Sequence, residues 1–147
     1  MKSIVSIAKA ITILLLCVSC SKPNAENRGD LSGLPSFEYQ GYTYFIHNNI
    51  GKFCYADASE KVSQLSSYGY TSWFIPTIDE LNIALDKGLI SVYSDYKTYA
   101  TGYWSSSQSK SSFNWILSFD QFDNQWEQTQ ADLRVTCWTL PMIRVRQ

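Results

Sequence analysis

Apolar and polar positions alternate over several short windows of this chain and fall at helical spacing in two others. In "FEYQGYTYFIHNNIGKFCYA", Tyr42, Tyr44 and Ile46 share one strand face, with Thr43 and Phe45 on the other. Gln40-Gly41 and Asn48-Asn49-Ile50-Gly51 are turn signals, so this window predicts two or three short strands. Ala58, Val62 and Leu65 then stand at i, i+4 and i+7, one apolar stripe of a helix. Asp57 and Glu60 have capping-box spacing at its start, and Gly69 is its expected stop.

The stretch "SWFIPTIDEL" predicts a junction of a different kind. Trp73, Phe74 and Ile75 are apolar, and Pro76 biases Ile75 away from helical torsions. Thr77 follows as an N-cap with Glu80 as its reciprocal partner, so a second helix starts at a fixed point. Leu81, Leu85 and Leu89 fall on one face, with Gly88 near the end. Further on, Phe113, Trp115, Leu117 and Phe119 alternate with Asn114, Ile116 and Ser118, the pattern of a half-buried strand. "DQFDN" reads as a turn, "QWEQTQ" as the antiparallel return and "MIRVRQ" as a last short strand. Trp73, Trp104 and Trp115 are expected in the core.

The first residues change the picture from a plain globular chain to an exported one. Lys2 and Lys9 flank a basic n-region, and "AITILLLCVSC" is an apolar run too short to span a membrane. Its end, Cys17-Val18-Ser19-Cys20, resembles a bacterial lipobox. The resemblance implies a signal peptide over 1–19, cleavage before Cys20 and acylation of that residue. Several acyl chains on Cys20 would hold the protein firmly on a membrane. Residues 20–35 are polar and Pro- and Gly-containing, and read as a tether that reaches roughly 50 Å when stretched at about 3.3 Å per residue. Residues 36–147 have the size of one compact domain. The expected location is the bacterial cell envelope, lipid-anchored, at the outer membrane or cell surface.

Charge excludes one class of partner. Without Lys2 and Lys9 the 12 Lys and Arg fall to 10, against 13 Asp and Glu, a net charge of −3 from Cys20 onward. No basic patch is visible, which argues against nucleic acid. Two cysteines besides Cys17 and Cys20 remain, Cys54 and Cys137. Outside the cytoplasm they are candidates for a disulfide closing a loop of about 80 residues, worth on the order of 4 kcal/mol; two buried free thiols are the alternative. His47 is the sole histidine and no CxxC pair occurs, so no metal site is expected. No cofactor and no catalytic constellation are expected either.

The order Trp73-x-Ile75-Pro76-Thr77-x-x-Glu80-Leu81, then Tyr103-Trp104-Ser105-Ser106, then Trp115 and Phe119, then Arg144-Val145-Arg146 resembles one family. It is similar to the bacterial domain at the C-terminus of Lcl-type collagen-like adhesins and in Fib-succ major paralogous proteins. That resemblance implies an α+β, C-type-lectin-like fold, with two helices packed on short antiparallel sheets and adjacent N- and C-terminal strands. Formylglycine-generating enzymes and the variable proteins of diversity-generating retroelements share this fold. Phe74 stands where the family has Arg, and the terminal cysteine of the family is absent here.

In that fold the loops between the later strands carry recognition, as the resemblance implies. Here these are "SQSKSS", "DQFDNQWEQTQ" and "TCWTLP". They hold Phe122, Asp123, Asn124, Trp126, Gln128 and Trp138, a mixture of flat apolar faces and amide groups that suits a neutral glycan or a protein surface. The expected function is a membrane-anchored binding or adhesion module for a glycan or surface protein. A variable ligand-binding protein of a retroelement is the alternative. An enzyme of the formylglycine-generating type is disfavoured, because neither cysteine stands in a matching motif.

Overall fold

The computed structural model describes residues 29–90, 101–120, 123 and 125–146. Cys20 and the expected signal peptide lie outside them, as do Phe122 and Asn124. The described chain runs β1 (Ser36–Tyr39), β2 (Tyr42–Ile46), β3 (Lys52–Phe53), α1 (Tyr55–Ser63), α2 (Ile78–Asp86), β4 (Thr101–Lys110), β5 (Phe113–Asp120), β6 (Gln125–Asp132), β7 (Cys137–Trp138) and β8 (Met142–Arg146). Its class is α+β, with two helices and two sheets, one of order β1-β2-β8 and one of order β3-β7-β4-β5-β6.

The small sheet begins with a hairpin closed by Gln40 and Gly41. Their φ values of 50° and 78° give the primed turn whose twist matches that of paired strands. β8 pairs antiparallel with β2, from Tyr42↔Arg146 to Ile46↔Met142. The first hairpin and the last strand therefore share a sheet, with β2 lying between β1 and β8. The large sheet is not purely antiparallel as expected. β7 inserts between β3 and β4, antiparallel to β3 but parallel to β4 at Tyr103↔Trp138.

α2 forms as its sequence dictates. The Thr77 hydroxyl accepts from the Glu80 N–H at 3.3 Å, and the Glu80 carboxylate accepts from the Thr77 N–H at 2.7 Å. A further N–H at the helix start, that of Ile78, donates to Ser107 Oγ at 3.0 Å. Gly88, at φ 69°, follows the last turn. Leu89 lies beyond the helix end rather than on its face.

α1 corrects the expected capping box. The helix starts two residues before Asp57, with Cys54 as an N-cap that makes no side-chain bond. The Tyr55 N–H donates instead to the Leu133 carbonyl at 3.0 Å, so a tertiary bond replaces the missing cap. Asp57 sits in the first turn, where its charge still favours the helix N-terminus. Gly69 is not the helix stop either. With Tyr68 it forms a second primed turn, both at positive φ, between Ser67 and Tyr70.

The core lies on both faces of the large sheet. One cluster gathers Phe37, Tyr44, Leu81, Tyr103, Leu117 and Met142; the other gathers Val62, Trp73, Ile75, Trp104, Ile116 and Ile143. β5 is therefore covered on both sides, and Asn114 and Ile116 are buried as well as Leu117. Asn114 meets this by donating from its amide to the Ser105 carbonyl at 2.9 Å. Trp73 and Trp104 are core residues, and the Trp104 indole N–H donates to the Phe53 carbonyl at 2.8 Å. Trp115 is half-buried. Residues 29–35, read above as tether, pack on the body. Leu31 is buried, and the Gly29 N–H donates to the Tyr68 carbonyl at 2.8 Å.

Candidate functional site

Register decides which of the expected site residues meet. Trp138 lies opposite Tyr103, Tyr103 opposite Leu117, and Leu117 opposite Gln128. Directly opposed residues project to the same side of a sheet. One cross-strand row thus carries Trp138 and Gln128 on one face, about 14 Å apart across strands spaced by about 4.8 Å. Trp126 stands two residues before Gln128 on the same face. Its ring stacks on Tyr103 at 6.0 Å and meets the edge of Phe119 at 5.2 Å. Trp138 is half-buried, with the Lys52 ammonium 4.7 Å from its ring centroid.

The two indoles are thus anchored in the first core cluster and keep part of their surface in solvent. Gln128 is exposed on β6. Asp123 is an exposed turn residue whose N–H donates to Asp120 Oδ1 at 3.4 Å. The stretch "TCWTLP" is not a loop. It is β7 and a buried continuation in which Thr139, Leu140 and Pro141 are enclosed.

Cys54 and Cys137 carry free thiols, the alternative to the candidate disulfide. Phe53, not Cys54, is the residue opposite Cys137. Burial pushes the Cys137 thiol up to about 12, with Lys52 opposing weakly, so it stays protonated and unreactive at neutral pH. His47 is a packing residue. Its Nδ1 lies 2.8 Å from the Asn48 carbonyl, and its ring meets Trp73 edge-on at 4.9 Å.

A concavity lies elsewhere, and sequence reasoning missed it. A groove of about 650 Å³ runs between α1 and the 72–77 segment. Tyr55, Ser59, Val62 and Ser63 form its helical wall, and Glu80, Ser106 and Arg144 line its other end. Glu80 is 6% exposed, a buried carboxylate committed to the α2 cap. The Tyr44 hydroxyl beside it is held above its usual pKa, first by burial, with Glu80 adding to the effect and Arg144 opposing it. The Arg144 guanidinium sits 5.5 Å from the Tyr42 ring centroid and 5.8 Å from that of Phe74. No described carboxylate pairs with it; the ion pair seen among the described residues joins Arg134 to Asp132 at 2.7 Å.

No family model matches this chain, and no curated protein matches it either. Its chemistry therefore rests on these residues.

Proposed function

We propose that this chain is an extracytoplasmic binding or adhesion module, held on a bacterial membrane through an acylated Cys20. It takes a glycan or a partner protein on the part-exposed surfaces of Trp126, Gln128 and Trp138, while Tyr103 and Leu117 between them are buried in the core and back the indoles. The row Trp138–Tyr103–Leu117–Gln128, with Trp126 stacked on Tyr103, is the observation that carries this reading. Part-buried indoles fixed by packing offer flat apolar surface at little entropic cost, and a neighbouring amide offers forked hydrogen bonds. A neutral sugar fits that palette best. The C-type-lectin-like assignment belongs to the same proposal, supported by the pairing of the first hairpin with the last strand.

The exposed side chains Gln125, Glu127 and Gln128 on edge strand β6 favour the variable-protein alternative, because they can change without disturbing the core. An oxidative cysteine-pair enzyme is disfavoured by the buried, protonated Cys137 thiol.

The test is a glycan-array screen of the full-length chain in detergent, beside Trp126→Ala and the exposed, folding-neutral Gln128→Ala. Related neutral glycans bound by the parent and lost in both variants are the expected result. A blank array moves the ligand to a protein, and binding unchanged in both variants removes the sheet face from the reading.

A further inference from the structure

The groove beside α1 is bordered by a strand edge that is unpaired among the described residues. Phe74 exchanges both of its backbone bonds with Met142 of β8, at 2.9 Å each. That narrow antiparallel pair makes the 72–75 segment a further row on the small sheet, next to β8. Its side chains alternate as an extended chain requires, with Trp73 and Ile75 in the second core cluster and Phe74 against the first. In such a chain, the N–H and C=O groups of flanking residues point to the opposite edge from those of the central one. The backbone groups of Trp73 and Ile75 therefore face away from β8, and none has a hydrogen bond among the described residues. Trp73, Phe74 and Ile75 all line the groove, which straddles this edge.

The geometry points to a second binding site here, for an extended peptide segment of a partner protein that adds a strand along Trp73–Ile75. Two donors and two acceptors spaced along an open edge are what a peptide backbone matches, and what a sugar does not. The free edge accommodates about three to five ligand residues at about 3.3 Å each. Ligand side chains alternate between two environments. Those turned toward α1 meet Tyr55, Val62, Ser59 and Ser63, which suits a small or apolar residue. Those turned the other way meet Arg144, which touches the Tyr44 hydroxyl and has no carboxylate partner among the described residues; with Glu80 committed to the α2 cap, the exposed guanidinium suits Asp or Glu. This site shares no residue with the Trp126–Trp138 face and stands independently of it.

A display library of random nine-residue peptides, selected on the immobilised full-length chain, supplies the probe. Enriched peptides are then synthesised with single N-methyl groups at each position. Strand addition predicts that methylation abolishes binding at every second residue only, where the peptide N–H meets the Trp73 or Ile75 carbonyl. Hydrogen exchange should slow at the Trp73 and Ile75 amides on binding. Arg144→Ala, an exposed substitution, should weaken acidic peptides about tenfold. Ser59→Trp should block the groove, while Gln128→Ala should leave peptide binding intact. No enriched peptide, binding indifferent to N-methylation, or unchanged exchange at both amides would each overturn the assignment. Loss of binding in Gln128→Ala would assign the peptide to the sheet face instead.

Discussion

Replacing Glu80 by alanine should destabilise the fold by about 3 kcal/mol, and the structure says where that figure comes from. The Glu80 carboxylate is 6% exposed and accepts from the Thr77 N–H at 2.7 Å. Losing a charge-assisted bond to a buried donor costs about 1.5–3 kcal/mol. The Tyr44 hydroxyl, which also bears on this carboxylate, loses a partner, for about 1–2 kcal/mol more. A small void adds about 1 kcal/mol, and relief from burying a carboxylate returns about 1–2 kcal/mol. Glu80→Gln keeps an acceptor in the same place and should cost about 1 kcal/mol. Thr77→Ala removes only the longer 3.3 Å bond and should also cost about 1 kcal/mol. Urea unfolding followed by tryptophan fluorescence reads all three midpoints. A Glu80→Ala variant within about 0.5 kcal/mol of the parent, a surface-substitution value, would refute the reasoning. So would a larger loss from Thr77→Ala than from Glu80→Ala.

Two further outcomes are expected. Cys137 has its folded pKa raised from 9.0 to about 12; a raised pKa stabilises below the unfolded value, and that stability is lost as pH climbs through the folded one. Stability should therefore fall between pH 9 and 12 by on the order of 4 kcal/mol from this thiol. Alkaline unfolding of the parent should be steeper than that of Cys137→Ala, and equal pH slopes would contradict it. Cys20→Ala should abolish metabolic labelling with palmitate and release the chain from the membrane fraction. Retained label would place the acyl group on another residue.

What the sequence disclosed depended on how local each determinant is. α2 was legible because Pro76, Thr77 and Glu80 act within one turn of one another. The β5–β6 hairpin was legible because its alternation and turn are contiguous. The start of α1 was misread because its first N–H is satisfied by Leu133, far along the chain, and no local pattern records that bond. The expected strand face of β5 was half the truth, since a central strand buries both sides and Ile116 is as enclosed as Leu117. Among the expected ligand residues, Trp126, Gln128 and Trp138 proved to share a face, which only register could reveal. The groove was invisible because Arg144 is remote in sequence from α1 and the 72–77 segment, and no local pattern shows how those two pack against each other. Its one local signal was the extended apolar run Trp73-Phe74-Ile75, whose edge pairing nothing in the sequence records.

The position of β8 governs when this protein can fold. It lies between β2 and the Phe74 row, so Met142–Arg146 completes a sheet whose other members lie far earlier in the sequence. Until Met142–Arg146 is available, the β1–β2 hairpin and the 72–75 segment have nothing to join them. Pairings of such long sequence separation form slowly, after the entropy of closing the intervening chain has been spent. A nascent chain thus cannot close the small sheet until Met142–Arg146 has been made. For the exported chain proposed above, a strand made after every other member of its sheet is a built-in delay before folding, and removing the five residues of β8 should leave a small sheet that never closes.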